Sequence, residues 1–327
     1  MLPRREFLMA SAAAVAALGL PRAVAQTIKK PVRIIVGFPA GGGTDVNARL
    51  VAEKLRGHYA AAVIVENRAG AAARIAVDYV KNAEPDGATL LFTPDFPLTV
   101  YPHSYRKLDY DPLRDLAPVT PCTKSMLTVN AGPGLPAEVK TVADFIAWSR
   151  TNPAKAQYGT TSPGATPHFV GVMLAKAAGV ELTPVHYKGG APALQDLLGG
   201  HIPVSVNPIS ETLGFGNAGA IRILAVTGRE RSRFLPAVPT LVEQGFKDVV
   251  VESWLGLFAP AKTPADIVAA LNQAARTATS APDFVESLAK VGNDPAYLPP
   301  DEFARVVKAD LERWGPIVQA SGFSPED

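Results

Sequence analysis

Phe38-Pro-Ala-Gly-Gly-Gly-Thr-Asp45 is the stretch that decides the fold prediction for this chain. It follows the apolar run Val32-Arg-Ile-Ile-Val36, a predicted buried strand, and precedes a helix expected over residues 47–59. Glycines lack Cβ, so a ligand can approach their backbone N–H groups closely. Thr44 is the expected N-cap, and Asp45 suits the first turn. Strand, glycine loop and helix N-terminus in this order predict an anion-binding site.

Strand and helix signals alternate on both sides of this stretch. Strands are expected near residues 62–66 and 88–92, with a helix at residues 75–81 between them. This βαβαβ order favours a mostly parallel sheet with helices on its faces. Residues 94–115 are predicted to form a long connection over the surface. After a turn-rich joint at residues 133–136, a second alternating unit begins.

The order of the elements predicts two doubly wound α/β domains with a ligand cleft between them. Residues 26–125 plus 251–327 are expected to form the first domain, and residues 126–250 the second, inserted domain. The chain has 327 residues, which is enough for two domains of ordinary size.

The N-terminus has the pattern of an export signal. The pair Arg4-Arg5 precedes an apolar run over residues 9–20 and then Ala23-Val24-Ala25, an A-x-A cleavage signal. The apolar run is short for a bilayer crossing, although an uncleaved anchor is the alternative. We expect cleavage after Ala25 and a periplasmic protein, exported by the twin-arginine route or by Sec.

Charge and cysteine content exclude several classes of protein. Residues 1–25 hold three of the 32 basic and one of the 30 acidic side chains, which leaves 29 of each. A near-neutral mature chain offers no bulk electrostatic case for binding nucleic acid or an anionic membrane. The single cysteine, Cys122, excludes an intramolecular disulfide.

Two further segments repeat the strand, turn and helix order of the first loop. They are residues 160–166, before a helix expected at 167–178, and residues 187–192, before a helix expected at 192–198. Open α/β sheets bind ligands at such turns, where the first amides of each helix have no partner inside the helix. Two or three converging helix N-termini would hold a carboxylate without an arginine.

The sequence gives little support for catalysis. Ser162 could be a nucleophile and His168 a base, but Ser162 precedes a proline and lacks a G-x-S-x-G elbow. The five histidines have no zinc-like spacing, and the first loop matches neither a nucleotide P-loop nor G-x-G-x-x-G. We therefore expect no catalytic residue, no metal and no cofactor. Asp95 follows a predicted strand, where it either accepts a hydrogen bond from a ligand hydroxyl or ammonium or caps the next turn.

An ordered set of motifs covers residues 31–322. The motifs are Phe38-Pro-Ala-Gly-Gly-Gly-Thr-Asp45, Val65-Glu-Asn-Arg68, Pro85-Asp-Gly87, Tyr110-Asp-Pro112, Val185-His-Tyr-Lys-Gly189, Leu197-Leu-Gly-Gly200, Leu224-Ala-Val226, Val238-Pro-Thr240 and Ser253-Trp-Leu-Gly-Leu-Phe-Ala-Pro260. In combination they resemble the extracytoplasmic solute receptors of tripartite tricarboxylate transporters, the Bug family.

The resemblance implies a Venus-flytrap fold and a small organic acid ligand, held largely by backbone groups and waters from both domains. It also implies a monomer that works with membrane transporter subunits. A ligand-sensing receptor for a signalling partner, or a hydrolase on the same scaffold, remains an alternative. The predicted ligand-binding residues are Phe38, Ala40, Gly41, Gly42, Gly43, Thr44, Asp45, Asp95, Thr161, Ser162, Gly164, Thr166, His168, Lys188, Gly189, Gly190 and Asn207.

Three departures from the family pattern bear on the ligand. Arg74 stands where asparagine is expected, Asp95-Phe96 where small hydroxyl or glycine residues are usual, and Tyr101 where asparagine is common. Asp95 and Phe96 could select a ligand with an aromatic body, a hydroxyl or an amine. The alternative is that they only repack the rim of the cleft.

Overall fold

The computed structural model describes residues 28–323, so the predicted export signal and its cleavage site lie outside the described residues. The strands are β1 Val32–Val36, β2 Val63–Asn67, β3 Thr89–Pro94, β4 Leu116–Ala131, β5 Gln157–Thr160, β6 Thr183–His186, β7 Val204–Pro208, β8 Arg222–Val226, β9 Glu252–Pro260 and β10 Asp294–Pro295. The α-helices are α1 Gly43–Leu55, α2 Arg74–Lys81, α3 Phe96–Thr99, α4 Tyr101–Ser104, α5 Pro112–Asp115, α6 Val142–Thr151, α7 Thr166–Ala178, α8 Gly190–Leu198, α9 Ile209–Asn217, α10 Ala265–Thr279, α11 Pro282–Lys290 and α12 Pro300–Ser321.

The strand β4 is shared by two halves of one curled, mixed sheet. In the first half, β1 lies parallel to β2 and β3, while β9 pairs antiparallel with β3 and with residues 116–126 of β4. In the second half, residues 127–131 of β4 pair antiparallel with β7 and β8, and β5 lies parallel to β6 and β7. The chain therefore crosses between the halves inside β4 and returns just before β9. The α/β class is confirmed, whereas the domain boundaries stay a prediction.

Two large apolar cores support the two halves. One core packs α1, α10 and α11 against the first half of the sheet, with Val36 and Phe92 buried there. The other core lies on the second half and includes Phe145 and Phe169. The long helix α12 contributes Trp314 to this second core, although Phe303 near its start packs against the first half. One helix thus braces both halves of the molecule.

The structure corrects the predicted start of the first helix. Helix α1 begins at Gly43 rather than at residue 47, and its N-cap is Gly42, so the prediction that Thr44 is the N-cap was wrong. The carboxylate of Asp45 accepts a hydrogen bond from the backbone N–H of Gly41 at 2.9 Å. That bond organises the turn before the helix, so a charged residue inside the first turn replaces the expected threonine cap.

The predicted surface connection over residues 94–115 was also wrong in its first part. The short helices α3 and α4 are buried there, with Leu98 and Val100 fully covered. They are covered because α12 packs across them, which the local sequence could not indicate. By contrast, α7 runs from Thr166 to Ala178 as predicted and ends at Gly179 with φ 61°. Within residues 28–323 no helix has the length and apolar character that a membrane crossing requires.

Candidate ligand-binding site

A cleft of about 240 Å³ lies where the two halves of the sheet meet. Three strand-to-helix turns line it: the β1–α1 loop of residues 38–43, the β5–α7 loop of residues 161–166 and the β6–α8 loop of residues 187–189. The N-termini of α1, α7 and α8 therefore lie at one space, where their first amides have no partner inside the helix. Each terminus carries a positive partial charge, so the arrangement favours a negatively charged ligand group.

The first loop is held in place by a buried charged network around Asp45. This carboxylate accepts hydrogen bonds from Arg49 and from Asn67, each at 2.9 Å, as well as from Gly41. The amide of Asn67 also donates to the carbonyl of Phe38 at 3.0 Å. Burial raises the pKa of Asp45, but the hydrogen bonds from Arg49, Gly41 and Asn67 outweigh it, and the pKa lies below its usual value. The network is therefore ionised under ordinary conditions and fixes the loop.

Neutral groups hold the second loop. The Nδ1 atom of buried His168 accepts a hydrogen bond from the backbone N–H of Gly164 at 3.2 Å. Burial, with a smaller contribution from neighbouring His186, lowers the pKa of His168 to about 3. The ring therefore stays neutral and keeps an acceptor for Gly164. On the other side, the hydroxyl of Ser162 lies 3.1 Å from that of Tyr101.

Asp95 lies behind the second loop, where it connects three segments of the fold. The carboxylate is 2 % exposed and accepts hydrogen bonds from Ser253 at 2.7 Å and from Thr166 at 3.2 Å. Burial raises its pKa to about 7, and the negative charge of Asp310 adds to the increase. Asp95 thus joins the end of β3 to the N-terminus of α7 and to β9.

Glu211 brings a carboxylate into the cleft itself. Its side chain, in the first turn of α9, accepts a hydrogen bond from Asn207 at 3.0 Å and lies against Gly43, where a Cβ would be 3.6 Å from its Oε1 atom. A Cβ at Gly190 would lie 1.7 Å from its Oε2 atom, so glycine is required there for this contact. Burial raises the pKa of Glu211 above its usual value, although hydrogen bonding opposes the increase. Glu211 therefore links the start of α1 in one half to α8 and α9 in the other.

The structure gathers most of the predicted ligand-binding residues around the cleft. Those that line it are Phe38, Ala40, Gly41, Gly42, Gly43, Thr44, Thr161, Thr166, Lys188, Gly189 and Gly190. The others do not line it: Ser162 and Gly164 belong to the β5–α7 loop, and the residues behind the loops are Asp45, Asp95, His168 and Asn207. Their direct contact with a ligand stays a prediction, and the hydrogen bonds described above show them supporting the residues in front.

Sequence reasoning missed several residues of the cleft wall. These are Pro94, Ser125, Leu127, Pro208, Ser210, Glu211, Ser253, Leu255 and Asn293. For Ser210 and Glu211 a signal was available, because β7 is followed directly by α9 in the same strand-to-helix order as the other loops. For Asn293 there was none: it reaches the cleft through a hydrogen bond to Asn47, 246 residues earlier in the chain.

Some wider depressions on the surface lack the features of this cleft. One of about 620 Å³ is lined by Lys81, Glu84 and Lys262, among others, and no helix N-terminus faces it. Among residues 28–323, no group of three histidine, cysteine or acidic side chains is placed to hold a metal ion. The interdomain cleft is therefore the best candidate for a binding site.

Comparisons with known proteins show which proteins the chain resembles in sequence and in structure. Residues 47–323 match the tripartite tricarboxylate transporter family receptor. Among solved structures, the periplasmic binding protein BugD is 30% identical, with a TM-score of 0.84 over 90% of this chain and 99% of its own. Rpa4515 of R. palustris with adipate is 32% identical, with a TM-score of 0.86 over 90% of this chain and 98% of its own. MatC from Rhodopseudomonas palustris with bound malate is 28% identical, with a TM-score of 0.81 over 88% and 98%.

Proposed function

The chain belongs to the tripartite tricarboxylate transporter family of receptors, and from that premise we propose that it is a periplasmic solute-binding protein. It captures a small organic carboxylate in the interdomain cleft and delivers it to the membrane subunits of a tripartite transporter. The observation that carries the proposal is the convergence of the α1, α7 and α8 N-termini on one cleft of about 240 Å³. That space suits a molecule with on the order of ten non-hydrogen atoms.

The charge of the cleft wall fits this class of ligand. Lys188 and Glu211 are its only charged side chains among the described residues, so most of the attraction for a carboxylate comes from backbone amides. A helix N-terminus stabilises an anion by about 0.3–1 kcal/mol, and by up to about 2 kcal/mol when it is partly buried. Related structures hold adipate and malate, both carboxylates.

Closure of the two halves on the ligand gives the loaded protein a shape that differs from that of the empty protein. The contact between Glu211 and the start of α1 connects the halves across the cleft. A ligand that touches the loops of both halves stabilises the closed arrangement by its differential affinity for it. Transporter subunits can then distinguish the loaded protein from the empty one by its shape.

Thermal-shift screening of the exported protein against organic acids tests the proposal. An acid that binds only the native state stabilises it by about 2.7 kcal/mol at a concentration of 100 Kd, which raises the melting temperature. Gly42 has φ −73° and ψ 164°, and a Cβ there would meet only Pro39 O, at 3.4 Å. Gly42→Val therefore keeps the fold, but its methyl groups cover the loop amides, and we expect calorimetric binding to be lost.

The control is Gly214→Val, where a Cβ meets no atom within 4 Å and which does not line the cleft. We expect it to bind the same acid as the wild type. A panel in which no organic acid shifts the melting temperature would contradict the proposed function. Undiminished affinity in Gly42→Val would contradict the site.

The two alternatives to a transport receptor, a hydrolase and a sensory receptor, are tested in different ways. For the hydrolase, Ser162 pairs with Tyr101, and the Nδ1 of His168 is taken by Gly164, so neither hydrogen bond joins nucleophile to base. Ester turnover that disappears in Ser162→Ala would still favour it. For the sensory receptor, the discriminating measurement is capture of solubilised membrane proteins on the liganded protein. We expect transporter subunits, whereas a signalling protein would favour sensing.

A further inference from the structure

The cleft carries its own carboxylate at the place where an anion would otherwise bind. The side chain of Glu211 lies against Gly43, the first residue of α1, where a Cβ would be 3.6 Å from its Oε1 atom. Its Oε2 atom also lies against Gly190, the first residue of α8. Two of the three helix N-termini at the cleft therefore already face an acidic side chain. A ligand carboxylate placed beside Glu211 would meet a like charge in a partly buried space.

The N-terminus of α7 differs from these two. Thr166 and Pro167 line the cleft there, and the first turn of α7 contains no acidic residue. Asp95 accepts the Thr166 hydroxyl from behind and does not line the cleft. Glu211 therefore places a negative charge at the α1 and α8 side of the cleft, where Lys188 of the β6–α8 loop also lines the wall, whereas no acidic side chain lines the α7 end.

A second acceptor in the cleft wall follows from a chain of amide hydrogen bonds. Asn47 donates its Nδ2 to the carbonyl of Gly43 at 2.7 Å, so its Oδ1 must act as the acceptor. Asn293 donates its Nδ2 to that Oδ1 at 3.0 Å. The Oδ1 of Asn293 is thereby left buried without a partner, in a residue that lines the cleft. A buried acceptor of this kind calls for a donor.

We propose that Glu211 and Asn293 make the cleft selective for a monocarboxylate whose other end donates hydrogen bonds, as an ammonium or hydroxyl group does, over a dicarboxylate. The selectivity rests on the proposed function, because it concerns the same cleft and the same ligand. The ligand's carboxylate lies at the N-terminus of α7, where Thr166 has a backbone N–H to donate and Pro167 has none. The ligand's donor end satisfies Glu211 and the Asn293 Oδ1. The charge of Glu211 disfavours a second carboxylate on the ligand, and the unpaired Oδ1 of Asn293 favours a ligand group that donates a hydrogen bond.

Calorimetry with matched acids tests this selectivity. The probes are dicarboxylates of four, five and six carbons, the ω-amino and ω-hydroxy acids of the same lengths, and the plain monocarboxylates, all at pH 8. For the wild type we expect at least one amino or hydroxy acid to bind at least tenfold more tightly than the dicarboxylate of its length. In Glu211→Gln, we expect dicarboxylate affinity to rise at least tenfold and ω-amino acid affinity to fall, while the plain monocarboxylate changes little.

The control is Glu181→Gln, which removes the same charge from an exposed residue outside the cleft and should leave every affinity unchanged. Melting temperatures near that of the wild type show that each variant is folded. Tightest binding of a dicarboxylate by the wild type, with a ratio unchanged in Glu211→Gln, overturns the selectivity and leaves the proposed function intact. Absence of binding for every acid in both proteins contradicts the proposed function, and the selectivity falls with it.

Discussion

The two main loops of the cleft present the same backbone groups on opposite kinds of support. Behind the β1–α1 loop lies an ionised network, in which Asp45 binds Arg49, Asn67 and the N–H of Gly41. Behind the β5–α7 loop lie the neutral ring of His168 and the buried carboxyl of Asp95. The comparison shows that each loop is held by buried side chains behind it. Whether those side chains are charged or neutral decides how the loop responds to mutation and pH.

The largest loss of stability and ligand affinity is expected when the charged network behind the β1–α1 loop is removed. Asp45→Ala leaves the Gly41 N–H and the Asn67 amide without an acceptor and Arg49 without its partner. Because Asp45 is only 2 % exposed, we expect urea unfolding to show a loss on the order of 2–3 kcal/mol, with ligand affinity reduced more than tenfold. Glu286→Ala, which breaks an exposed pair with Lys290, should leave the urea midpoint almost unchanged. Equal losses in the two variants would show that the network does not hold the loop.

Removal of the neutral His168 ring behind the β5–α7 loop should cause a smaller loss of stability, which depends on pH. His168→Phe keeps the ring volume but leaves the Gly164 N–H without its acceptor, which costs about 1–3 kcal/mol at pH 7.5. The folded-state pKa of His168, about 3, lies below the unfolded value of 6.5, so the unfolded chain takes up a proton as the pH falls. Wild-type stability from this group is therefore lost from about pH 6.5 downward. Urea midpoints should show a gap between the two proteins that narrows at pH 5, and a constant gap would contradict the buried, neutral ring.

Asp95 should give the opposite pH response. Its folded-state pKa, about 7, lies above the ordinary 3.8, so its favourable contribution is complete below pH 4 and is lost as the pH rises to 7. The stability of Asp95→Asn relative to the wild type should therefore increase between pH 4 and 7, by at most about 1.4 kcal/mol per pH unit, and level off above pH 7. Thermal unfolding across this range measures the difference. A flat difference would show that Asp95 is ionised throughout.

The smallest change in stability is expected in the left-handed turn of residues 71–73, which packs at the base of the β1–α1 loop. Within residues 28–323, positive φ angles outside glycine occur at Ala71, Ala72 and Ala73, and a Cβ at Gly37, just before the loop, would lie 2.4 Å from that of Ala73. Left-handed alanine costs about 1–2 kcal/mol, partly offset by the greater entropy of unfolded glycine. Exposed Ala71→Gly should therefore stabilise the protein by roughly 0.5 kcal/mol.

The matched control for Ala71→Gly is Ala177→Gly, an exposed position within helix α7. There the same substitution should destabilise the protein by about 0.5–1 kcal/mol, because glycine loses more entropy in a helix. Melting temperatures that move in the same direction in both variants would show that the left-handed turn stores no strain.

Much of the local structure around the cleft was predictable. The glycine run after β1, and Thr166-Pro167 before α7, carry turn and helix-start chemistry within a few residues of each other. The resemblance to the receptor family is confirmed by the match over residues 47–323. The start of α1 was misplaced because Asp45 acts through the Gly41 amide, a contact that residue preference alone does not reveal.

The chain by itself determined most of its strands and turns and the places where helices begin, because those features depend on residues within a few positions of one another. Only the tertiary structure decided which side chains face those amides. Glu211 meets Gly43, and Asn293 meets Asn47, through the packing of two sheet halves against each other. The burial that lowers the pKa of His168 and raises that of Asp95 likewise comes from distant elements. Contacts between remote residues depend on the sum of many packing choices, and no local pattern encodes that sum.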